Sequence, residues 1–160
     1  MDAPLRSIRM EELTALSIGS LTTTIGTVHT PKGKRLEIGV PAADEAIWLD
    51  ALGLESVSWQ DEAVFADLIQ EWNRRHEARL PTPPSIDAAA DVEHLVTVRN
   101  EYAIVDVSTG EDDGTEFVRI DSKRLGYAAR LTAAELAALS AQDASLLSEF
   151  LSTPFGPERG

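Results

Sequence analysis

The sequence predicts an α+β fold: two tandem units, each of β-hairpin strands followed by helices, related by a pseudo-twofold axis. Three observations predict it. The stretch VSWQDEAVFADLI at 57–69 returns as LSAQDASLLSEFL at 139–151. One offset of 82 positions carries the match upstream without a gap, placing Leu13 on Leu95, Ile25 on Val107, Leu36 on Val118, Ile38 on Ile120 and Leu49 on Leu131. Within each unit, apolar residues alternate with period two before switching to helical spacing. Two copies are too few for a solenoid and imply a shared core. The units are expected at 1–76 and 93–160, with a linker at 77–92.

Each element follows from its local pattern. ELTALSI and HLVTV predict a short strand at the start of each unit. LTTTIGTVHT, PKGK and RLEIGV predict the first hairpin; YAIVDVSTG, EDDGT and EFVRI predict the second, with turn residues between alternating strands. AIWL and AARL predict a further strand in each. A helix then starts at Asp50 in the first unit and at the Thr132–Glu135 capping box in the second, where hydroxyl and carboxylate take amides of the first turn. The first unit has Gly53 in place of that Glu, which predicts a weaker helix. Ser58–Asp61 and Ser140–Asp143 read as starts of a second helix. Its buried face is expected to hold Val64, Phe65, Leu68, Ile69 and Trp72 in one copy, and Leu146, Leu147, Phe150 and Leu151 in the other. PTPPSIDAAAD, with three prolines in four positions, excludes helix and central strand. Pro154 should stop the last helix, leaving FGPERG as a frayed end.

Composition narrows the function. With 43% hydrophobic residues in 160, the chain can bury an ordinary core. A net charge of −13 opposes binding to phosphate backbones and anionic membranes, which needs Lys and Arg to displace counterions. The same charge aids solubility and can steer a basic partner. No apolar run reaches the roughly 20 residues of a membrane span, and MDAPLRSIRMEEL has no signal-peptide core. Cysteine is absent, which removes disulfides, thiolate metal sites and a thiol nucleophile. A cytoplasmic bacterial protein is expected.

Catalytic motifs are missing. The sequence holds no glycine-rich dinucleotide turn, Walker loop, serine elbow or metal-ligand histidine pair, so no cofactor and no metal are expected. His29, His76 and His94 read first as surface or capping residues. Glu37 alternates with Leu36 and Ile38 and should face outward beside Arg35, as a surface ion pair. If the protein is an enzyme, His29, Glu37 and Asp50 are the candidate bases. Arg35, Trp48 and Trp59 are the candidates for an interaction surface or pocket. Trp59 falls opposite Ala141 in the repeat, so it either lines a pocket or fills an asymmetric core; core filling is the simpler reading.

VHTPKGKRLEI and LDALGLESVSWQ in the first unit, with NEYA and RLG in the second, resemble a family of short actinobacterial proteins labelled "dihydrodiol dehydrogenase" and encoded beside Rieske-type ring-hydroxylating oxygenases. The matching positions are His29-Thr30, Gly33, Arg35 to Ile38, Leu49 to Leu52, Leu54 to Ser56 and Trp59-Gln60. The resemblance implies association with an oxygenase component and, by its label, hydride transfer with a nicotinamide. Three functions are therefore carried forward: a non-catalytic accessory protein of an oxygenase system, a small cofactor-independent isomerase, lyase or hydrolase, and an NAD-dependent dehydrogenase. The missing motifs favour the first. Oligomeric state is not legible.

Overall fold

The computed structural model describes residues 9–152; Pro154 and FGPERG lie outside them. Two four-stranded antiparallel sheets form, each with its strands in sequential order. The first holds β1 (Arg9–Ile18), β2 (Leu21–Thr30), β3 (Gly33–Val40) and β4 (Glu45–Leu49), followed by α1 (Ala51–Ser58) and α2 (Glu62–His76). The second holds β5 (Val92–Arg99), β6 (Ile104–Asp112), β7 (Thr115–Ser122) and β8 (Ala128–Thr132), followed by α3 (Ala133–Ser140) and α4 (Ala144–Ser152). Residues 77–91 contain no helix or strand. No helix among the described residues is long and apolar enough to cross a membrane.

The offset of 82 extends to strand register. Thr24 pairs with Gly39 and Leu36 with Leu49; Asp106 pairs with Asp121 and Val118 with Leu131. The bulge recurs as well, between Glu12 and Thr14 in one copy and between His94 and Val96 in the other. Hairpin chemistry differs. Asp113 and Gly114 both take positive φ, the two-residue turn that matches strand twist. Pro31-Lys32 closes the first hairpin instead, with Thr30 Oγ1 accepting from Lys32 N at 3.2 Å and Gly33 taking φ +122°.

Helices cross between the halves. α1 packs on β6 and β7, whereas α3 packs on β2 and β3; α2 lies against α3, and α1 against α4. Each contact has its repeat mate, as a twofold relation requires. All eight residues of α3 are buried, and seven of eight in α1. A helix buried all round needs apolar or small residues on every side, as ALGLESVS and AAELAALS supply. Leu16, Ile25, Leu36, Leu54, Ile120, Leu131, Leu136 and Leu139 are fully buried in one core drawn from both halves.

The repeated string now has a local explanation, and one expectation needs correcting. Ser58 and Ser140 do not start the second helix; they end the first, their hydroxyls donating to the carbonyls of Glu55 at 2.6 Å and Ala137 at 2.7 Å. Gln60 and Gln142 reach back to the carbonyls of Ser56 at 3.1 Å and Ala138 at 3.4 Å. These bonds satisfy carbonyls that a helix end leaves open. Asp61 caps α2 by accepting from Val64 N, and Asp143 accepts from Ser145 N at the start of α4. The helix faces are also narrower than expected: Phe65, Leu68, Ile69, Trp72 and Phe150 are buried, Val64, Leu146 and Leu147 are half-buried, and Leu151 is exposed. His94 lies within β5.

Glu111, exposed at the tip of the second hairpin, touches none of this. Glu111→Ala is expected to change stability by less than about 0.5 kcal/mol in urea melts.

Candidate functional site

Strand register places four of the expected site residues. Antiparallel partners share a face. Met10, Val28 and Arg35 therefore form one row on the outer face of the first sheet, and Gly26, Glu37 and Trp48 the next. Trp48 is 40% exposed, and its indole Nε1 donates to Glu37 Oε2 at 3.0 Å. Glu37 thus takes the indole; among the described residues no ion pair joins it to Arg35. His29 sits near the end of β2, its Nε2 at 3.5 Å from Thr27 Oγ1. Asp50 is held as the α1 cap, Oδ1 accepting from Gly53 N at 2.8 Å. Trp59 is buried after α1. His29, Glu37 and Asp50 line neither of the two clefts described next.

The larger cleft, about 470 Å³, runs between β8 (Ala128 to Leu131), linker residues Thr82 to Ile86 and the start of α2, with Phe65 in its wall. Glu135 lines it while only 8% exposed. Glu135 Oε1 accepts from Thr132 N at 2.7 Å and from the Thr132 hydroxyl at 3.2 Å, completing the capping box. Burial pushes this carboxyl above its ordinary range, against the two Thr132 bonds, and the charge of Glu62 adds to the rise. Sequence reading had the residue as a cap only, because its cleft is made by α2 and the linker, which are distant in the chain.

The second cleft, about 370 Å³, lies by the β1–β2 turn and is mostly apolar. His76 at its edge stacks on Trp72, with ring centroids 3.7 Å apart. Its Nδ1 donates to the Trp72 carbonyl at 3.0 Å, and Nε2 lies 3.2 Å from Glu45 Oε2. This arrangement ties the end of α2 to β4.

Two further polar groups escaped the sequence reading. Glu55, fully buried in α1, accepts from Ser122 Oγ at 3.0 Å and Arg124 Nη2 at 2.7 Å, both from the other half. On the outer face of the second sheet, Asp106 accepts from Thr97 Oγ1 at 2.6 Å, with Lys123 Nζ at 3.3 Å and His94 Nε2 at 3.6 Å. The Thr97 bond leads in holding the Asp106 carboxyl below its ordinary range; partial burial opposes it, and Lys123 and His94 reinforce it.

Opposite pH behaviour follows for the two carboxyls. Asp106 binds its proton less readily when folded, so its contribution is present above the unfolded carboxyl's titration and lost as pH falls through the lowered folded value. Glu135 keeps its proton to higher pH when folded, so its contribution declines as pH rises from the unfolded value through the folded one. Melting temperatures followed across the acid range should show the advantage of the parent over Asp106→Asn vanishing at low pH. Glu135→Gln preserves the capping box, and it should gain on the parent as pH rises.

A nicotinamide dinucleotide, which the resemblance implies, does not fit these residues. Its pyrophosphate is held by free amides at a helix start. Among the described residues a carboxylate already occupies the start of each of the four α-helices: Asp50, Asp61, Glu135 and Asp143. Each would repel the phosphates. No protein-family model matches the chain, and no curated protein matches it.

Proposed function

We propose that this is a cytoplasmic, non-catalytic accessory protein that docks on a component of an oxygenase system and adjusts its turnover. The oxygenase partner comes from the resemblance of the segments around His29 to Ile38 and Leu49 to Gln60. The observation that carries the binding role is Trp48. It stands exposed on the outer face of the first sheet, with its N–H fixed by Glu37, and exposed Met10 lies on the same face at the opposite edge. Tryptophan is enriched among the residues that carry most of the energy of protein interfaces, and a side chain held in place beforehand loses less freedom on binding. The neighbouring Arg35 supplies a polar rim to the same face. The test is copurification with the oxygenase components and turnover with and without this protein. Trp48→Ala is expected to weaken association by at least about 2 kcal/mol, roughly thirtyfold, with the fold intact. No association and unchanged turnover would sink the proposal.

A cofactor-independent isomerase, lyase or hydrolase is the second reading. One observation favours it: Glu135, a carboxyl with raised affinity for its proton, lines a cleft with an aromatic wall. That reading moves the base from His29, Glu37 or Asp50 to Glu135. For the dehydrogenase reading, titration with oxidised and reduced nicotinamide dinucleotides is expected to show no saturable binding.

A further inference from the structure

We propose that the cleft along β8 binds an extended cationic segment of another protein, which adds to β8 as a fifth strand of the second sheet and sets a lysine or arginine against Glu135 and Glu62. The backbone makes the first half of this case. β8 is the last strand of its sheet, so one side of it lacks a strand partner. The linker runs along the far side of the cleft, yet no backbone hydrogen bond joins it to β8 among the described residues. An edge strand held open in this way recruits an extended chain through its N–H and C=O groups. The cleft falls within the range of about 300–1,000 Å³ typical of ligand sites.

Charge makes the second half. Both Thr132 bonds fall on Oε1 of Glu135; Oε2 makes none among the described residues, although the residue is more than nine-tenths buried. That oxygen is not sealed in the core; it opens on the cleft, where water or an incoming cation can donate to it. Glu62 and Asp61 line the same cleft, and among the described residues Arg130 is the only basic one that does. Asp61 is occupied as a cap, so Glu62 and Glu135 remain for the incoming cation. The Phe65 ring in the wall fits the aliphatic stem of a long cationic side chain.

The probe is a fluorescein-labelled, acetylated pentapeptide Thr-Val-Lys-Val-Thr, with norleucine replacing lysine as its control. Fluorescence anisotropy should show saturable binding, about tenfold weaker for the norleucine peptide. Glu135→Gln keeps the cap and should weaken the lysine peptide about tenfold while leaving the norleucine peptide unchanged. Ala63→Trp, at an exposed position on the cleft rim, should abolish binding; if that variant misfolds, Glu62→Gln takes its place with a several-fold loss. Hydrogen exchange at the Ala128 and Arg130 amides, which alternation turns to the open edge, should slow at saturation. The proposal is overturned by no saturation below about 1 mM, by equal affinity for the two peptides, or by spermidine binding as tightly as the peptide without protecting β8. Trp48 lies on the other sheet, so Trp48→Ala should leave peptide affinity unchanged. Loss of the peptide site and loss of oxygenase docking are therefore separable results.

Discussion

Phe65→Ala is expected to lower the free energy of unfolding by roughly 3–5 kcal/mol, and Phe150→Ala by a similar amount. Both rings are 3% exposed and belong to the core formed from both halves. Truncation removes the transfer energy of the ring and leaves a cavity that surrounding side chains fill only in part. The crossed helices sharpen the effect. α2 packs on α3, which also touches all four strands of the first sheet as well as β8, so a void under Phe65 loosens the joint between halves instead of one half alone. Total stability of such a domain is about 5–15 kcal/mol, so either change approaches the threshold for unfolding at 37 °C. Urea melts read at two probes, far-ultraviolet dichroism and tryptophan fluorescence, should shift together, since the halves share one core. Phe variants as stable as the parent would overturn the assignment of these helices to the core.

Arg124→Ala should destabilise the fold by roughly 3 kcal/mol, because it leaves the carboxylate of Glu55 buried with Ser122 as its remaining donor. The repeat supplies the control. Glu55 aligns with Ala137, Ser122 with Val40 and Arg124 with Ala42, so the second copy of the joint is built from apolar side chains. Glu55→Ala with Arg124→Ala should therefore recover part of that loss, since it removes the buried charge that the loss of Arg124 leaves unpaired. A double-mutant cycle by urea denaturation measures this directly. If the double variant is as unstable as the sum of the single changes, the ion pair is not the source of the loss.

The two sites proposed for binding differ in how far a sequence can show them. Trp48 and Glu37 stand near one another in the chain and on adjacent strands; alternation already placed Glu37 outward, and the register sets Trp48 opposite it. Glu135 looked like a helix cap and nothing more, because its signature, T-x-x-E, is complete within four residues. Glu55 has no local signature at all, since its partners are 67 and 69 positions away.

What the sequence determined by itself is everything governed by local pattern: the eight strands, the four helices, the repeat, and the carboxylate at each helix start. Period-two alternation, turn residues and caps act over fewer than about ten residues, and the offset of 82 copies them from one unit to the other. The tertiary structure alone decided which sheet each helix covers. α1 and α3 are buried on all sides, so no amphipathic stripe marks which face meets which neighbour. Their exchange between halves is settled by packing against the opposite sheet. That exchange is also what buries Glu55, ties it to Arg124, and sets Glu135 at the side of an open strand edge.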